Sequence, residues 1–456
     1  MNKTEAATRP ILPTFREAFL VWAKVGLLSF GGPAGQIALM HRMLVDERRW
    51  IGEQRFLHAL SYCMLLPGPE AQQLATYIGW LLHGTRGGLA AGILFVLPGA
   101  VVMLALSAVY GLYHDLPAIA ALFLGVKAVV LAIVIEAILR IGKRALKNRV
   151  AVAIAVAAFI GIYILKIPFP LIVLGAGAIG WLGHRFAPDA FTGSGGHGNG
   201  PTPDTHGLID ALIENGRLTH TSRSTARALR TLGLWLLIWL GPVLALRLAT
   251  GGHSVWSELG GFFSVMAVVT FGGAYAVLAY VAQAAVDGFH WLLPHEMVDG
   301  LGLAETTPGP LILVLQFVGF LAAYRAPGSL DPLLAGTLGA LLTLWVTFAP
   351  CFLWIFVGAP YVEALRNNRA ISAALGAVTA AVVGVIANLA LWFGLHVLFG
   401  ATEEIAGFQV PVLASINWIT AAIALAAVIA MLRFKAGALP TLAFGALAGS
   451  ATLFLA

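Results

Sequence analysis

Charged residues are scarce in this chain. Only 11% of its 456 residues are Asp, Glu, Lys or Arg, whereas 59% are hydrophobic. A soluble protein of this length would carry about 25% charged residues. The apolar runs have the length of helices rather than of the short alternating strands of an outer-membrane barrel. The composition therefore excludes an ordinary soluble domain and predicts an all-α polytopic protein of the lipid bilayer.

Cysteine is nearly absent as well. Cys63 and Cys351 are the only two, and both lie in apolar stretches, so we expect neither a disulfide nor a metal site. No haem, flavin or iron–sulfur motif is found, which argues against an enzyme and predicts no cofactor. The net charge of +6 lies in short loops that set topology, so no nucleic-acid partner is expected. Residues 1–15 lack the apolar core of a cleavable signal peptide.

One polar segment interrupts the apolar pattern. Residues 187–206 are rich in Gly, Pro and Ser and lead into the basic run 222–230. This composition predicts a flexible linker, in which histidines are expected to be solvated rather than to bind metal. We therefore divide the chain into a first repeat (1–186), a linker (187–227) and a linking helix with a second repeat (228–456).

The two halves carry the same motifs in the same order. The sequences Phe-Gly-Gly at 30–32, Val-Asp at 45–46, Trp50 and Pro-Gly-Pro at 67–69 recur 241 positions later in the second half. Without a gap, 11 of the 41 residues from 30 to 70 match residues 271 to 311. The matches fall on backbone breakers and aromatic anchors, which favours an internal duplication over chance.

The distribution of basic residues predicts that the second half is upside down. Residues 42–55 are rich in Arg, whereas their counterparts 287–299 contain no Lys or Arg. The loop 114–118 has no Lys or Arg, whereas its approximate counterpart 366–369 is basic. Because Lys and Arg stay in cytoplasmic loops, this reversal predicts two inverted repeats, with the N-terminus and the linker in the cytoplasm and the C-terminus in the periplasm.

Broken or re-entrant helical hairpins reconcile the basic loops with the number of apolar segments. The arms 56–66 and 70–83 would be about 16 and 20 Å long as helices, too short to cross a core of about 30 Å. Segments 15–46, 256–286 and 297–325 divide in the same way. We expect four hairpins and about nine full spans, the alternative at each break being a helix that crosses completely.

The predicted hairpin tips carry helix ends at mid-membrane. The first amides of a helix lack intrahelical partners and carry about half a positive charge, so tips that converge between the repeats predict an anion site. Alternatively, Gly and Pro only kink packed helices, but two motifs repeated at one offset favour binding. The backbone candidates are Gly31, Gly32, Gly68, Gly272, Gly273 and Gly309.

Polar side chains near the tips are further candidates. Lys24 and Lys127 lie in apolar segments, where a charge indicates function, although Lys24 can instead snorkel to the cytoplasmic face. Glu70 and Glu305 flank the Pro-Gly-Pro motifs as ligand-site, coupling or gating groups, or as structural caps. The side chains that can bond ligand oxygens, or else satisfy freed backbone groups, are Gln36, Gln72, Gln73, Thr306 and Thr307.

Three long stretches, residues 22–41, 48–84 and 302–320, closely resemble the chromate ion transporter family in its long-chain, two-domain form. They include FGGPAGQ, LLPGPEAQQL and ETTPGP. The resemblance implies efflux of the chromate dianion across the bacterial inner membrane, hence chromate resistance, and implies that sulfate, a dianion of similar shape, interacts with the same site.

Several alternatives stay open from sequence. Efflux can be driven by the membrane potential alone or coupled to protons. The substrate can be sulfate or another oxyanion, and an anion channel with fixed hairpins would use the same tips. A homodimer agrees with the resemblance and with the frequency of twofold assemblies.

Overall fold

The structure is a computed structural model that describes residues 12–114, 116–186, 207–214, 218–221, 223–271, 274–361, 369–405 and 408–454. The predicted linker residues 187–206, the glycines Gly272 and Gly273 and most of the basic loop 366–369 lie outside these ranges. Apart from one small β-hairpin, the elements of the described residues are helical.

Helices of the first half begin where capping or a permitted proline predicts. Thr14 and Glu17 form a capping box before the first helix, and Pro117 occupies the first turn of another, where a missing N–H costs least. The described helices are α1 (Phe15–Leu28), α2 (Gly32–His41), α3 (Glu53–Cys63), α4 (Glu70–Tyr113), α5 (Pro117–Ala145), α6 (Arg149–Tyr163) and α7 (Phe169–Phe186).

Besides short 3-10 and π-helical turns, the described ranges of the rest of the chain contain one short α-helix, nine longer α-helices and a β-hairpin. The strands β1 (Thr402–Ile405) and β2 (Phe408–Pro411) pair antiparallel. The helices are α8 (Leu208–Glu214), α9 (Thr225–Thr250), α10 (Val255–Val269), α11 (Ala274–Gln283), α12 (Pro294–Thr306), α13 (Val314–Arg325), α14 (Pro332–Gly358), α15 (Arg369–Leu398), α16 (Trp418–Phe434) and α17 (Ala438–Ala451).

Helix α4 is two antiparallel helices. Its backbone is non-helical at His83 and at Gly84, whose φ of 60° suits glycine. Beyond this break the chain folds back, since a Cβ added to Gly79 would lie 2.5 Å from the Gly87 carbonyl oxygen. The break falls where the sequence predicts the end of a hairpin, and the segment 85–113 then runs on as a full-length helix.

Among the described residues, six helices are long and apolar enough to cross a membrane, with α4 counted once: α4, α5, α7, α9, α14 and α15. Shorter apolar helices accompany them. Helices α4 and α14 pack together, and α15 packs on α5, α6 and α7. The prediction of an all-α polytopic membrane protein is confirmed.

Backbone geometry recurs at the 241-residue offset of the sequence motifs. A π-helical turn follows α2 at Arg42–Glu47, and another follows α11 at Ala284–Gly288. Arg49 and His290, which are 241 positions apart, both adopt positive φ, at 51° and 55°. Such φ values are uncommon outside glycine, so their recurrence reflects a shared local fold.

Candidate functional site

Each Pro-Gly-Pro motif lies against the helix break of the other half. We call residues 67–69 the first tip and 308–310 the second tip, and residues 29–32 and 270–271 the first and second breaks. Gly68 N–H donates to the Thr270 carbonyl at 2.8 Å, and Gly309 N–H donates to the Ser29 carbonyl at 2.7 Å. The two donors, Gly68 and Gly309, are 241 positions apart, and so are the two acceptors, Ser29 and Thr270. The contact is therefore reciprocal.

Two buried glutamines hold the tips. Gln36 Nε2 donates to the Gly309 carbonyl at 2.6 Å and lies 3.4 Å from the Ser29 carbonyl. Gln73 Nε2 donates to the Pro67 carbonyl at 2.7 Å. Both amides therefore satisfy backbone groups freed by the breaks, which is one of the two roles expected from the sequence.

Other polar candidates near the tips bond within their own helices. Gln72 Nε2 lies 3.1 Å from Thr76 Oγ1. The hydroxyls of Thr306 and Thr307 each donate to the Leu303 carbonyl at 2.8 Å. Because each hydroxyl proton is used in this way, the threonine oxygens at the second tip act mainly as acceptors.

The first break leaves the N-terminus of α2 accessible. Gly31 and Gly32 have φ of 84° and 70°. Within the described part of the chain, no atom beyond their immediate neighbours lies within 4 Å of the position that a Cβ would occupy on either residue. Gly31 is exposed. The backbone at the start of this ten-residue helix therefore has open space beside Gly31 and Gly32.

The two candidate carboxylates lie near the arginine-rich end of α5. Glu305 Oε1 accepts from the Tyr275 hydroxyl at 2.5 Å, and the charge of Arg140 acts on it. Glu70 begins α4, and the charge of Arg144 acts on it. Glu305 therefore has a hydrogen-bond partner, Tyr275, that the sequence did not assign to it.

The two candidate lysines differ in surroundings. Lys24 is exposed on α1. Lys127 Nζ lies 3.4 Å from Asp299 Oδ1, on α12 of the other half, and the side chain of Asp299 is only 3% exposed. The Tyr110 hydroxyl donates to the same carboxylate at 2.8 Å. Lys127 therefore neutralises an internal carboxylate, and sequence reasoning missed both Asp299 and Tyr110.

Comparison with known proteins gives a consistent result. A family model described as chromate transporter matches residues 16–181 and again residues 257–450. A chromate transport protein of Pseudomonas aeruginosa is 32% identical over 394 residues, covering 84% of this chain and 82% of that protein. One of Cupriavidus metallidurans is 27% identical over 391 residues, covering 84% of each chain.

A shorter relative matches only part of the chain. The uncharacterized transporter YwrB of Bacillus subtilis is 31% identical over 165 residues, which are 35% of this chain and 83% of that protein. No solved structure matches. The two matched regions of the family model begin 241 positions apart and together cover most of the sequence, so this multi-pass membrane protein belongs to the chromate transporter family.

Proposed function

We propose that this protein exports chromate from the bacterial cytoplasm and thereby confers chromate resistance. The observation that carries the proposal is the reciprocal contact of the two tips with the two breaks, beside the open N-terminus of α2. A dianion in a membrane must be richly hydrogen-bonded or paired with charge. Amides at the start of a helix supply such bonds together with a favourable dipole.

The donors for the anion come mainly from the first break. The Gly68 and Gly309 amides already bond to carbonyls. Their role is therefore to hold each tip against the break of the other half, an arrangement that we call the crossed tips. The open space beside Gly31 and Gly32 leaves room for an anion at the start of α2, and we assign chromate to the backbone amides there. Lys24, two turns earlier on α1, adds positive charge on the path to the site.

We further propose that the halves are inverted repeats in the inner membrane, with four re-entrant hairpins and about nine spans. Two observations support this. The contact between tips and breaks is reciprocal, as it is across a twofold axis, and Lys and Arg are concentrated in opposite members of the matched loop pairs. Binding sites at such repeat interfaces, built from discontinuous helices, are a general transporter design.

The membrane potential favours this direction. An inside-negative potential of about 100 mV supplies about 2.3 kcal/mol per charge. A dianion therefore gains about 4.6 kcal/mol on leaving, equivalent to roughly a thousandfold gradient. Glu70 and Glu305 are the groups through which proton coupling would act, because both are titratable and adjoin the tips. Potential-driven exit needs no coupling.

Chromate uptake into inverted membrane vesicles tests the proposal. Vesicles energised positive inside should accumulate chromate, lose it when the potential is collapsed, and be inhibited by sulfate. Vesicles from cells without the protein are the control. Uptake of labelled sulfate without chromate would reassign the substrate, and flux without saturation or counterflow would indicate a channel; either result would overturn chromate export by a carrier.

A further inference from the structure

Part of the predicted linker is docked on the first half. The stretches 207–214 and 218–221, which we call the linker strap, lie against the ends of two helices. Leu208 N–H donates to the Arg49 carbonyl at 3.0 Å, and Ile209 N–H donates to the Trp50 carbonyl at 2.9 Å. The strap is therefore bonded through its backbone to the turn that precedes α3.

Asp210 supplies what the start of α3 lacks. The N-cap of this helix is Gly52, which has no side chain, so an orphan amide needs an external acceptor. Asp210 Oδ2 accepts from Gly52 N–H at 2.8 Å and from Gly207 N–H at 3.0 Å. Its other oxygen pairs with Arg55 Nε, and the residue is 9% exposed.

The strap also contacts the second arm of the first hairpin, near the end of that arm. His220 Nε2 bonds to the Trp80 carbonyl at 2.9 Å, and the two rings meet edge to face with centroids 5.1 Å apart. Burial lowers the pKa of His220, so a neutral ring donates this bond at pH 7. Trp80 precedes the break at Gly84, and the strap thus joins the beginning and the end of the hairpin that carries the first tip.

The second half closes its hairpin differently at the matched positions. Arg325, at the end of α13, donates to Glu296 Oε2 at 2.7 Å and to the Trp291 carbonyl at 3.0 Å. Glu296 in turn accepts from Leu293 N–H at 2.7 Å. Trp291, Leu293 and Glu296 lie 241 positions after Trp50, Gly52 and Arg55. In the first half the strap bonds to the Trp50 carbonyl, the Gly52 amide and the Arg55 side chain.

We propose that the linker strap is a separate clasp that closes the first hairpin and so positions the first tip against the second break. The position matched to Arg325 is Gly84, so the first hairpin has no side chain there to close it. The charge at another matched position is opposite in sign, because Arg55 in the first half corresponds to Glu296 in the second. A carboxylate from outside the repeat completes the pair.

Docking leaves no room for a methyl group at one position. A Cβ on Gly207 would lie 2.3 Å from the Gly52 nitrogen and 2.7 Å from Ile51 Cα. Both are backbone atoms that cannot move aside as a side-chain end can. Gly207→Ala should therefore lift the strap without altering any charge. Gly233→Ala on α9 is the matched control, because nothing described lies within 4 Å of its added Cβ.

The tip has its own reporter. A Cβ on Gly68 would lie 2.9 Å from Cys351 Sγ, and this thiol is 1% exposed, so displacement of the first tip uncovers it. In full-length detergent-purified protein carrying Cys63→Ala, Gly207→Ala should raise both chymotrypsin cleavage after Leu212, a strap residue that is only 1% exposed, and maleimide labelling of Cys351 by roughly tenfold or more. Asp210→Asn should do the same to a smaller extent.

The clasp depends on the proposed function only in the chromate uptake assay, because cleavage and labelling do not require transport. Gly207→Ala should also slow chromate uptake into inverted vesicles severalfold, while Gly233→Ala behaves as the parent. Unchanged cleavage would overturn the docking, and raised cleavage with unchanged Cys351 labelling would overturn the positioning of the tip. If cleavage and Cys351 labelling both rise in Gly207→Ala but the parent protein itself moves no chromate, the clasp is upheld and the proposed function is rejected.

Discussion

The two halves share local backbone geometry around their tips but place polar residues on opposite sides of the tip in sequence. Before the second tip the chain is polar where the first half is apolar: Glu305, Thr306 and Thr307 correspond to Met64, Leu65 and Leu66. After the tip the pattern reverses: Glu70, Gln72 and Gln73 correspond to Leu311, Leu313 and Val314. Gln36, which holds the second tip, corresponds to Val277.

This difference separates the residues that fix the backbone at the tips from the polar residues beside them. The repeated residues are glycines, prolines and anchors that fix the breaks, and their hydrogen bonds recur at one offset. The residues that vary flank the tips in sequence, and one of them, Gln36, bonds across to the Gly309 carbonyl of the other half. For the anion site that we propose, equal flanks would offer two equivalent sites, whereas complementary flanks suit one ligand shared by both halves.

The largest effect is expected where the halves are equivalent. Gly68 and Gly309 have φ of 116° and 94°, a region that disfavours side chains. Gly68→Leu and Gly309→Leu should each abolish chromate transport, measured in inverted vesicles, with membrane insertion unchanged. The control is Gly175→Leu, since nothing described lies within 4 Å of a Cβ there. Parental flux in either tip variant would contradict the role of the crossed tips.

A smaller effect is expected from the ion pair that joins the halves. Lys127→Met leaves Asp299 buried without its cation, and removing one partner of a buried pair costs roughly 3 kcal/mol. Thermal unfolding in detergent should therefore shift to lower temperature. Adding Asp299→Asn should recover most of the stability. If the double variant transports normally, Lys127 is structural; if it binds chromate poorly although stable, Lys127 belongs to the site.

Making one half resemble the other should weaken the tips. Gln36→Val gives α2 the residue found at the matched position, Val277, and leaves the Gly309 carbonyl without its side-chain donor. An unsatisfied buried acceptor costs about 1–3 kcal/mol, so the transport rate should fall roughly tenfold. Gln409→Val, at an exposed position on β2, should leave the rate unchanged. Equal rates in both variants would mean that the amide does not support the tip.

The smallest effect is expected at the exposed lysine. Lys24→Ala should raise the KM for chromate by a few fold, since an exposed charge contributes about 1 kcal/mol or less, and high salt should reduce the difference. Lys24→Arg keeps the charge and should behave as the parent. If both variants have the parental KM, Lys24 serves only as a membrane anchor.

Local signals made much of the fold predictable. Gly, Pro and hydropathy act within a few residues, so the breaks near 31, 67, 84 and 308 could be read from the sequence. The repeat offset could be read as well, because breakers and anchors keep their spacing. Gln73 was recognised as polar near a tip, but its partner, the Pro67 carbonyl, emerged only from the structure.

Pairings between distant positions were not predictable. Asp210 lies 155 residues from Arg55, and Asp299 lies far along the chain from Tyr110 and Lys127. Composition makes residues 187–227 look uniformly polar, which hid the short apolar helix α8. One signal was present in the sequence: Arg55 and Glu296 exchange charge at matched positions, which indicates that each needs a partner of opposite sign.

The most direct test of the shared site is the stoichiometry of chromate binding to the purified protein by equilibrium dialysis. We expect one chromate per chain, and we expect Gly68→Leu and Gly309→Leu each to remove binding completely, because both tips build the same site. Two chromates per chain, or half of the binding remaining in each variant, would contradict a single site formed by the crossed tips.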